Sequence, residues 1–324
     1  MTKQNIYITR IIPGPALNTL HQSCDVNLWE GELPPPRETI LQEIANAEGI
    51  ISLLTDKIDA EVMDAAPNLK VISNFAVGYD NIDIAAATER KIAVGNTPGV
   101  LTETTADLAF ALLMSAARRI VESEHYVKAG KWTTWGPTTL LGQDIYGATL
   151  GIIGFGNIGQ AVARRARGFG MKILFCDNDK NDAAYELGAE RCSLDDLLEQ
   201  SDFVSLHVPL TVQTQHMIGE KQLSMMKPTA ILINTARGGI VDPVALYDAL
   251  KDNIIGAAAL DVTEPEPIKM DDPLLTLDNC LIVPHIGSAS VATREKMAIM
   301  SAENLLAGLK GAKLPNCVNP EIYD

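Results

Sequence analysis

Three side chains with complementary chemistry follow three successive strand candidates in the second half of the sequence. Arg237 lies in the segment NTARGG, Glu266 in DVTEPEP and His285 in VPHIG. A planar guanidinium binds a carboxylate through two hydrogen bonds and keeps its charge at any working pH. An imidazole titrates near neutral pH, and a neighbouring carboxylate favours the protonated form that donates to a carbonyl oxygen. These residue types could hold an anionic substrate and give it a proton.

Each of these side chains also has a simpler interpretation when taken alone. The arginine could lie on the surface or cap a helix, the histidine could be structural, and the glutamates could belong to a solvated acidic loop. Their position at successive strand ends favours a site, because ligands of parallel sheets bind at the carboxyl ends of strands. Among the other histidines, His207 is predicted to line a cofactor cleft, whereas His21, His125 and His216 are predicted to lie on the surface.

The segment GFGNIG at residues 154–159 predicts a dinucleotide-binding loop. It follows an apolar strand candidate and opens a helix candidate at residues 160–169. Its glycines would allow a tight turn, the approach of a pyrophosphate to the backbone, and close packing of helix on strand. Asp177, 18 residues past Gly159, could accept hydrogen bonds from a ribose hydroxyl. The alternative is a glycine-rich turn that binds nothing.

The acidic residue predicts NAD rather than NADP as the cofactor. Asp177 would repel a 2′-phosphate, and no arginine follows it in the segment CDND. With a bound nicotinamide, the arginine and histidine would suit hydride transfer to a keto acid, with the arginine on the carboxylate and the histidine at the carbonyl oxygen.

The elements that must position these residues alternate between short apolar strands and amphipathic helices, which predicts an α/β fold with parallel sheets. The segment NTPG at residues 96–99 marks a hinge, and one helix is predicted over residues 102–122. The second alternation forms a complete doubly wound sheet. A last helix is predicted at residues 288–309. The strand candidates are residues 5–12, 49–54, 70–75, 91–94, 148–153, 172–176, 203–207, 230–234, 257–260 and 280–283.

Composition narrows the classes of function further. A chain of 324 residues suits two domains, and no apolar run is long enough for a membrane span. The net charge of −15 opposes binding to nucleic acid or to an anionic membrane. Five scattered cysteines without a C-x-x-C pair and an N-terminus without a leader pattern indicate a cytoplasmic protein with no disulfide framework. No metal is required.

These motifs, in order and spacing, resemble those of the D-isomer-specific 2-hydroxyacid dehydrogenase family over nearly the whole chain. The resemblance implies that Arg237 binds substrate and that His285 is the acid–base residue. The glutamate five residues after Asp261 is Glu266, which the family pairs with the histidine. The implied fold is a Rossmann-type NAD domain, residues 101–287, inserted into a smaller flavodoxin-like domain, residues 1–100 plus 288–324.

The resemblance also implies further contacts. The amides around Val77 and Gly78 would hold the substrate carboxylate, although a tight turn would use the same residues. Trp135, in GKWTTWGP, is similar to a residue of the glyoxylate and hydroxypyruvate reductase branch that reaches a neighbouring subunit's active site; plain dimer packing is the alternative, and both predict a homodimer. Thr105 would touch the cofactor or cap a helix. The predicted substrate contacts are Leu53, Val77, Gly78, Trp135 and Arg237, and the predicted cofactor contacts are Thr105, Gly154, Phe155, Gly156, Asn157, Ile158, Gly159, Asp177, His207, Pro209, Thr235, Ala236, Arg237, Asp261, His285 and Gly287.

The function expected from the resemblance is reduction of a small 2-keto acid, glyoxylate or hydroxypyruvate, with NADH. Leu53 and Leu54 stand where an enzyme of phosphorylated substrates would need a cation. Thr263 departs from the larger residue usual in the family, which leaves the fine substrate preference open. A D-lactate-type or broad 2-ketoacid dehydrogenase is the alternative within the class. An NAD-sensing corepressor is the alternative outside it, and the lack of an appended partner-binding segment disfavours it.

Overall fold

The computed structural model describes residues 3–178 and 183–324. The chain folds into two compact units, Met1–Leu101 with Ser288–Asp324, and Thr102–Gly287. Each unit contains an all-parallel sheet with helices between its strands, so the predicted α/β class is confirmed.

The first segment of the smaller unit builds a sheet in the order β2-β1-β3-β4-β5. This is the order of flavodoxin-like folds. The strand β2 was not predicted, because Asp25 and Asn27 are exposed and break the apolar run at this edge of the sheet. The elements are β1 (Gln4–Ile8), α1 (Ala16–Ser23), β2 (Cys24–Leu28), α2 (Arg37–Ile44), β3 (Gly49–Ser52), α3 (Ala60–Asp64), β4 (Val71–Asn74), α4 (Ile84–Glu89) and β5 (Ala93–Gly95).

The larger unit builds a doubly wound sheet in the order β8-β7-β6-β9-β10-β11-β12. The strand order reverses between β6 and β9, which is where such folds bind dinucleotides. The short edge strand β8 was not predicted. The elements are α5 (Thr102–Ala117), α6 (Ile120–Lys128), β6 (Thr149–Ile153), α7 (Asn157–Arg167), β7 (Lys172–Cys176), α8 (Ala183–Leu187), β8 (Ala189–Arg191), α9 (Leu194–Gln200), β9 (Phe203–Leu206), α10 (Glu220–Met225), β10 (Ile231–Asn234), α11 (Pro243–Lys251), β11 (Ala257–Leu260) and β12 (Cys280–Ile282).

The single helix predicted over residues 102–122 is wrong. The helix α5 ends at Ala117, and Arg119 adopts a left-handed conformation with φ of 50° before α6 begins. Neither glycine nor proline marks this break, so the sequence carried no signal for it.

The smaller unit is completed by α12 (Val291–Leu309), whose N-cap Ser290 accepts a hydrogen bond from the Thr293 N–H. This helix packs on β3 and β4. A side chain at Gly308 would place its Cβ 2.6 Å from Val71 Cβ, so glycine is what lets the helix lie this close to the sheet.

The central strands of the larger unit are apolar, as expected where helices cover both faces of a parallel sheet. The residues of β9 and β10 are all buried. Their polar ends then emerge at the carboxyl edge of the sheet, where the predicted site residues lie. No helix in the described part of the chain is long and apolar enough to cross a membrane.

Candidate active site

The predicted acid–base residue and its predicted partner are in contact. His285 Nδ1 lies 2.5 Å from Glu266 Oε1, and the two side chains are 24% and 32% exposed. A carboxylate on Nδ1 fixes the ring and leaves Nε2 as the nitrogen that can exchange a proton with a substrate. His285 itself adopts a left-handed conformation with φ of 51°. This is uncommon outside glycine and marks a constrained residue.

Asp261 holds the turn that contains His285. Its carboxylate accepts hydrogen bonds from the N–H groups of Ile286 at 2.6 Å and Gly287 at 2.8 Å, and its carbonyl oxygen accepts from the His285 N–H at 2.9 Å. Burial raises the pKa of Asp261, while these N–H donors and the nearby imidazole act in the opposite direction. Asp261 therefore positions the imidazole, a role that the sequence did not indicate; its predicted contact with the cofactor stays a prediction.

The loop of Arg237 follows β10 and is folded by Asn234. The Asn234 side chain donates to the Arg237 carbonyl at 2.8 Å and accepts from the Ala236 N–H at 3.0 Å. At Gly238 an added Cβ would lie 2.0 Å from the Thr263 carbonyl oxygen. Only glycine lets the arginine loop lie against the loop that carries the glutamate, so these loops share one edge of the sheet.

His216 joins these same loops, although it was predicted only as a surface residue. It is exposed, yet its N–H donates to the Gly239 carbonyl at 2.8 Å and its Nε2 lies 2.5 Å from Glu264 Oε2. Gly239 is two residues after Arg237, and Glu264 is two residues before Glu266. A single residue thus touches the segments that carry both proposed substrate-handling groups. No sequence signal could have found this, because its partners are remote along the chain.

The geometry of the glycine loop suits a pyrophosphate. Gly154 has a φ of 91°, and an added Cβ there would meet the His207 carbonyl oxygen at 2.7 Å. Among the described residues, no atom outside its own chain neighbours lies within 4 Å of a Cβ added at Gly156, which leaves open space at the start of α7. At Gly159 an added Cβ would lie 2.3 Å from the Gly154 carbonyl oxygen. The glycines therefore serve the turn, the ligand approach and the helix packing expected of them.

The helix α7 begins at Asn157 rather than near residue 160, so Asn157 and Ile158 form its first turn. Unpaired N–H groups and the helix dipole there favour an anion. Asp177, at the end of β7, accepts a hydrogen bond from the Phe155 N–H at 2.5 Å, which places its carboxylate against the glycine loop.

Arg191 lies beside Asp177, a neighbour that the sequence did not reveal. Its Nη2 donates to the carbonyl oxygens of Asp177 at 2.6 Å and Asn178 at 3.1 Å. The residue comes from β8, the strand that was not predicted. Asp177 is predicted to face a ribose, and an arginine beside such an acid is the residue type that accommodates a 2′-phosphate.

The other predicted cofactor residues also lie at this edge of the sheet. The Thr235 hydroxyl is buried and has no hydrogen-bond partner within the described residues, so a bound nicotinamide dinucleotide would supply one. Thr105 lies next to Gly287, where an added Cβ would be 3.4 Å from the threonine methyl. His207 follows β9, with its Nε2 2.8 Å from Ser205 Oγ, and burial lowers its pKa to about 4. Ala236 is in the arginine loop, and Pro209 is exposed after β9.

The remaining predicted substrate residues lie in loops of the smaller unit and in the segment before β6. Leu53 follows β3; its N–H donates to Asp56 Oδ2 at 2.8 Å and its carbonyl accepts from Asn81 Nδ2 at 3.0 Å. Val77 and Gly78 lie in the loop after β4. Trp135, between α6 and β6, is 78% exposed.

A doubly wound sheet with this glycine loop, an arginine and a histidine–carboxylate pair at its strand ends defines a nicotinamide-dependent oxidoreductase. The family model for the D-isomer specific 2-hydroxyacid dehydrogenase NAD binding domain matches residues 110–287. The chain belongs to the D-isomer-specific 2-hydroxyacid dehydrogenase family, so the resemblance seen in the sequence is confirmed.

Relatives match over the whole chain. A glyoxylate reductase of Korarchaeum cryptofilum is 56% identical over 99% of this chain and 97% of its own length. The structure of a glyoxylate reductase from Paecilomyes thermophila superposes with a TM-score of 0.88 at 34% identity, covering 99% of this chain and 100% of that one. An NADPH-dependent glyoxylate/hydroxypyruvate reductase from Sinorhizobium meliloti, solved with NADP and malonate, gives 0.87 at 32% identity, covering 98% of both chains.

Proposed function

We propose that the protein reduces glyoxylate or hydroxypyruvate to the corresponding 2-hydroxy acid, with NADH as the electron donor. The observation that carries the proposal is the contact between His285 Nδ1 and Glu266 Oε1, at the same sheet edge as Arg237 and the glycine loop. When bound next to these residues, NADH would supply the hydride that the carbonyl carbon takes up. Arg237 holds the substrate carboxylate, and His285 gives a proton from Nε2 to the carbonyl oxygen while Glu266 stabilises the charged imidazole.

The proposed substrate is supported by the descriptions of the relatives and by three residues of the smaller unit. Relatives described as glyoxylate reductases are 46% to 56% identical to this chain. Leu53 offers no charge to a phosphorylated substrate, which favours a small, unphosphorylated keto acid. Val77 and Gly78 are proposed to bind the carboxylate through their backbone.

The choice of NADH rests on Asp177, whose carboxylate is fixed against the glycine loop by the Phe155 N–H. It would accept hydrogen bonds from a ribose and repel a 2′-phosphate. NADPH is the second candidate, because Arg191 stands beside Asp177 and a relative of known structure is NADPH-dependent.

We further propose a homodimer in the cytoplasm. The segment between α5 and β6 exposes several large apolar side chains, and α6 has no buried residue. Exposed large apolar side chains of this kind are typical of protein–protein interfaces when they form a patch. The cysteines are free thiols, which suits a reducing compartment. Sedimentation of the chain at micromolar concentration tests the dimer. The exposed side chains are Ile120, Val127, Trp132, Trp135, Leu141 and Tyr146.

The test of the function is oxidation of NADH and NADPH against glyoxylate, hydroxypyruvate, pyruvate and 2-ketoisocaproate, by wild type and His285→Ala. Preference for the first two substrates with NADH, lost in the variant, supports the whole proposal. Preference for a bulkier acid keeps the chemistry and changes the substrate. If the wild type turns over no keto acid, the proposed enzymatic activity is contradicted and an NAD-sensing protein is favoured.

A further inference from the structure

The loop after β4 turns its carbonyl groups toward the sheet at three consecutive residues. The Ala76 carbonyl accepts from the Thr97 N–H at 2.9 Å, the Val77 carbonyl from Asn96 Nδ2 at 2.8 Å, and the Gly78 carbonyl from Asn74 Nδ2 at 2.9 Å. The donors lie at the carboxyl ends of the neighbouring strands β4 and β5. The loop is therefore anchored along one side by donors of a single sheet edge.

This anchoring sets the direction of the next N–H groups. In a trans peptide the N–H points opposite to the carbonyl of the same plane, and the peptide bonds of this loop are trans. The N–H groups of Val77, Gly78 and Tyr79 must then point away from the sheet. Within the described residues, none of the three donates to a protein acceptor. Successive N–H groups on one side of a loop form a concave site for an anion.

The asparagines that impose this arrangement are themselves held firmly. Asn74 is fully buried, and its Oδ1 accepts from Ser52 Oγ at 3.0 Å. The Asn96 carbonyl accepts from Asn304 Nδ2 at 2.9 Å, and Asn304 is also fully buried. Fixed partners of this kind keep the loop preorganised, so little ordering is needed when an anion binds.

We propose that Asn96 and Asn74 are positioning residues that aim the Val77, Gly78 and Tyr79 amides at the carboxylate of the keto-acid substrate. This inference rests on the proposed function, in which the loop amides bind the substrate carboxylate, and it adds the side chains that orient those amides. The asparagines act through the loop and do not touch the substrate. Their loss is expected to weaken carboxylate binding more than the chemical step.

The test compares Asn96→Ala with Asn27→Ala, an exposed asparagine of the same unit whose Nδ2 donates to Glu43 at 2.5 Å. Asn96→Ala is expected to raise the KM for glyoxylate and the inhibition constant of oxamate about tenfold, the loss expected for a weakened hydrogen bond to a charged group. Its kcat and its KM for NADH should match those of Asn27→Ala. A fall in kcat with an unchanged KM for glyoxylate would overturn the proposal.

A second measurement does not depend on the folding of a variant. Oxamate, a carboxylate analogue of a 2-keto acid, is added to the ¹⁵N-labelled wild type saturated with NADH. The amide resonances of Gly78 and Tyr79 should shift, and inhibition by oxamate without a shift at either would overturn the assignment. If wild type turns over keto acids while Asn96→Ala keeps a normal KM, this inference fails alone; if wild type has no turnover, the proposed function fails first.

Discussion

His285 Nδ1 lies 2.5 Å from Glu266 Oε1, although the two residues are 19 positions apart and the strand β12 lies between them along the chain. The turn that presents the imidazole is tied to Asp261 by the N–H groups of the left-handed His285 and of the two residues after it. The imidazole is thus fixed from its Nδ1 and from its backbone. Because the orientation of the ring depends on the Glu266 carboxylate, a substitution of Glu266 tests this contact.

Glu266→Gln should lower kcat by about 10-fold to 100-fold, because the amide keeps the size of the side chain but loses the charge that stabilises a protonated imidazole. The KM for the keto acid should change little. Stopped-flow measurement of NADH oxidation in a single turnover checks this at the chemical step. Glu199→Gln, an exposed glutamate of the same unit, is the control. Equal kcat values for the variants would contradict the role of Glu266.

Arg237→Lys should lower kcat/KM for glyoxylate by about 100-fold, since a lysine keeps the charge but loses the planar pair of donors that a carboxylate needs. NADH binding, followed by fluorescence titration, separates loss of substrate binding from loss of cofactor binding. Arg164→Lys is the control, because Arg164 pairs on the surface with Glu103 at 2.5 Å. A wild-type value of kcat/KM in Arg237→Lys would contradict the proposed role of Arg237 in binding the substrate carboxylate.

His216→Ala should lower kcat/KM about 10-fold without loss of folded protein, because it frees Glu264 and loosens the segment that carries Glu266. Glu264→Gln should have a similar effect, and the double variant should be no worse than either single variant if the residues act as one unit. Additive losses in this cycle would show that the pair does not act through the shared contact.

Asp177→Ala should raise the ratio of kcat/KM for NADPH over NADH by about 10-fold or more, because it removes a negative charge that would face a 2′-phosphate. Arg191→Ala should lower activity with NADPH and leave activity with NADH unchanged. Initial rates with each cofactor at saturating glyoxylate check both variants. An unchanged ratio in Asp177→Ala would contradict the proposed basis of cofactor choice.

Residues at strand ends were predictable because the apolar runs that mark parallel strands are visible in the sequence. Arg237, Glu266 and His285 each follow such a run, and the parallel order of β10, β11 and β12 brings those ends to one edge. The glycine loop was predictable for the same reason, since it sits between an apolar strand and a helix.

Contacts made by elements that the sequence did not predict could not be predicted from it either. Arg191 reaches Asp177 only because the chain pairs the short strand β8 with β7, and the residues of β8, Ala-Glu-Arg, carry no strand signal. His216 contacts the Glu264 carboxylate and the Gly239 carbonyl, and Asn96 donates to the Val77 carbonyl. These partners are remote along the chain, and no residue pattern in the sequence marks them.

The acid stability of the larger unit gives a test of His207. Burial lowers its pKa to about 4 from the ordinary 6.5, so the imidazole is neutral in the folded protein at neutral pH. The residue is partly buried, and its Nε2 lies 2.8 Å from the Oγ of the buried Ser205. In the unfolded chain the ring takes up a proton near its ordinary pKa. The free energy of unfolding therefore falls as the pH decreases from about 6.5, where the unfolded chain takes up the proton, to about 4, where the folded ring is protonated as well.

His207→Gln should remove this acid sensitivity. Between pH 7 and pH 5 the wild type should lose about 1 to 2 kcal/mol more stability than the variant, which corresponds to a difference of about 2 to 4 °C in the change of Tm. Thermal unfolding of both proteins without cofactor, at matched ionic strength, measures the difference. His125→Gln, at an exposed histidine, should behave like the wild type. If His207→Gln loses as much stability as the wild type over this range, the imidazole is protonated in the folded protein and the enclosed neutral ring is contradicted.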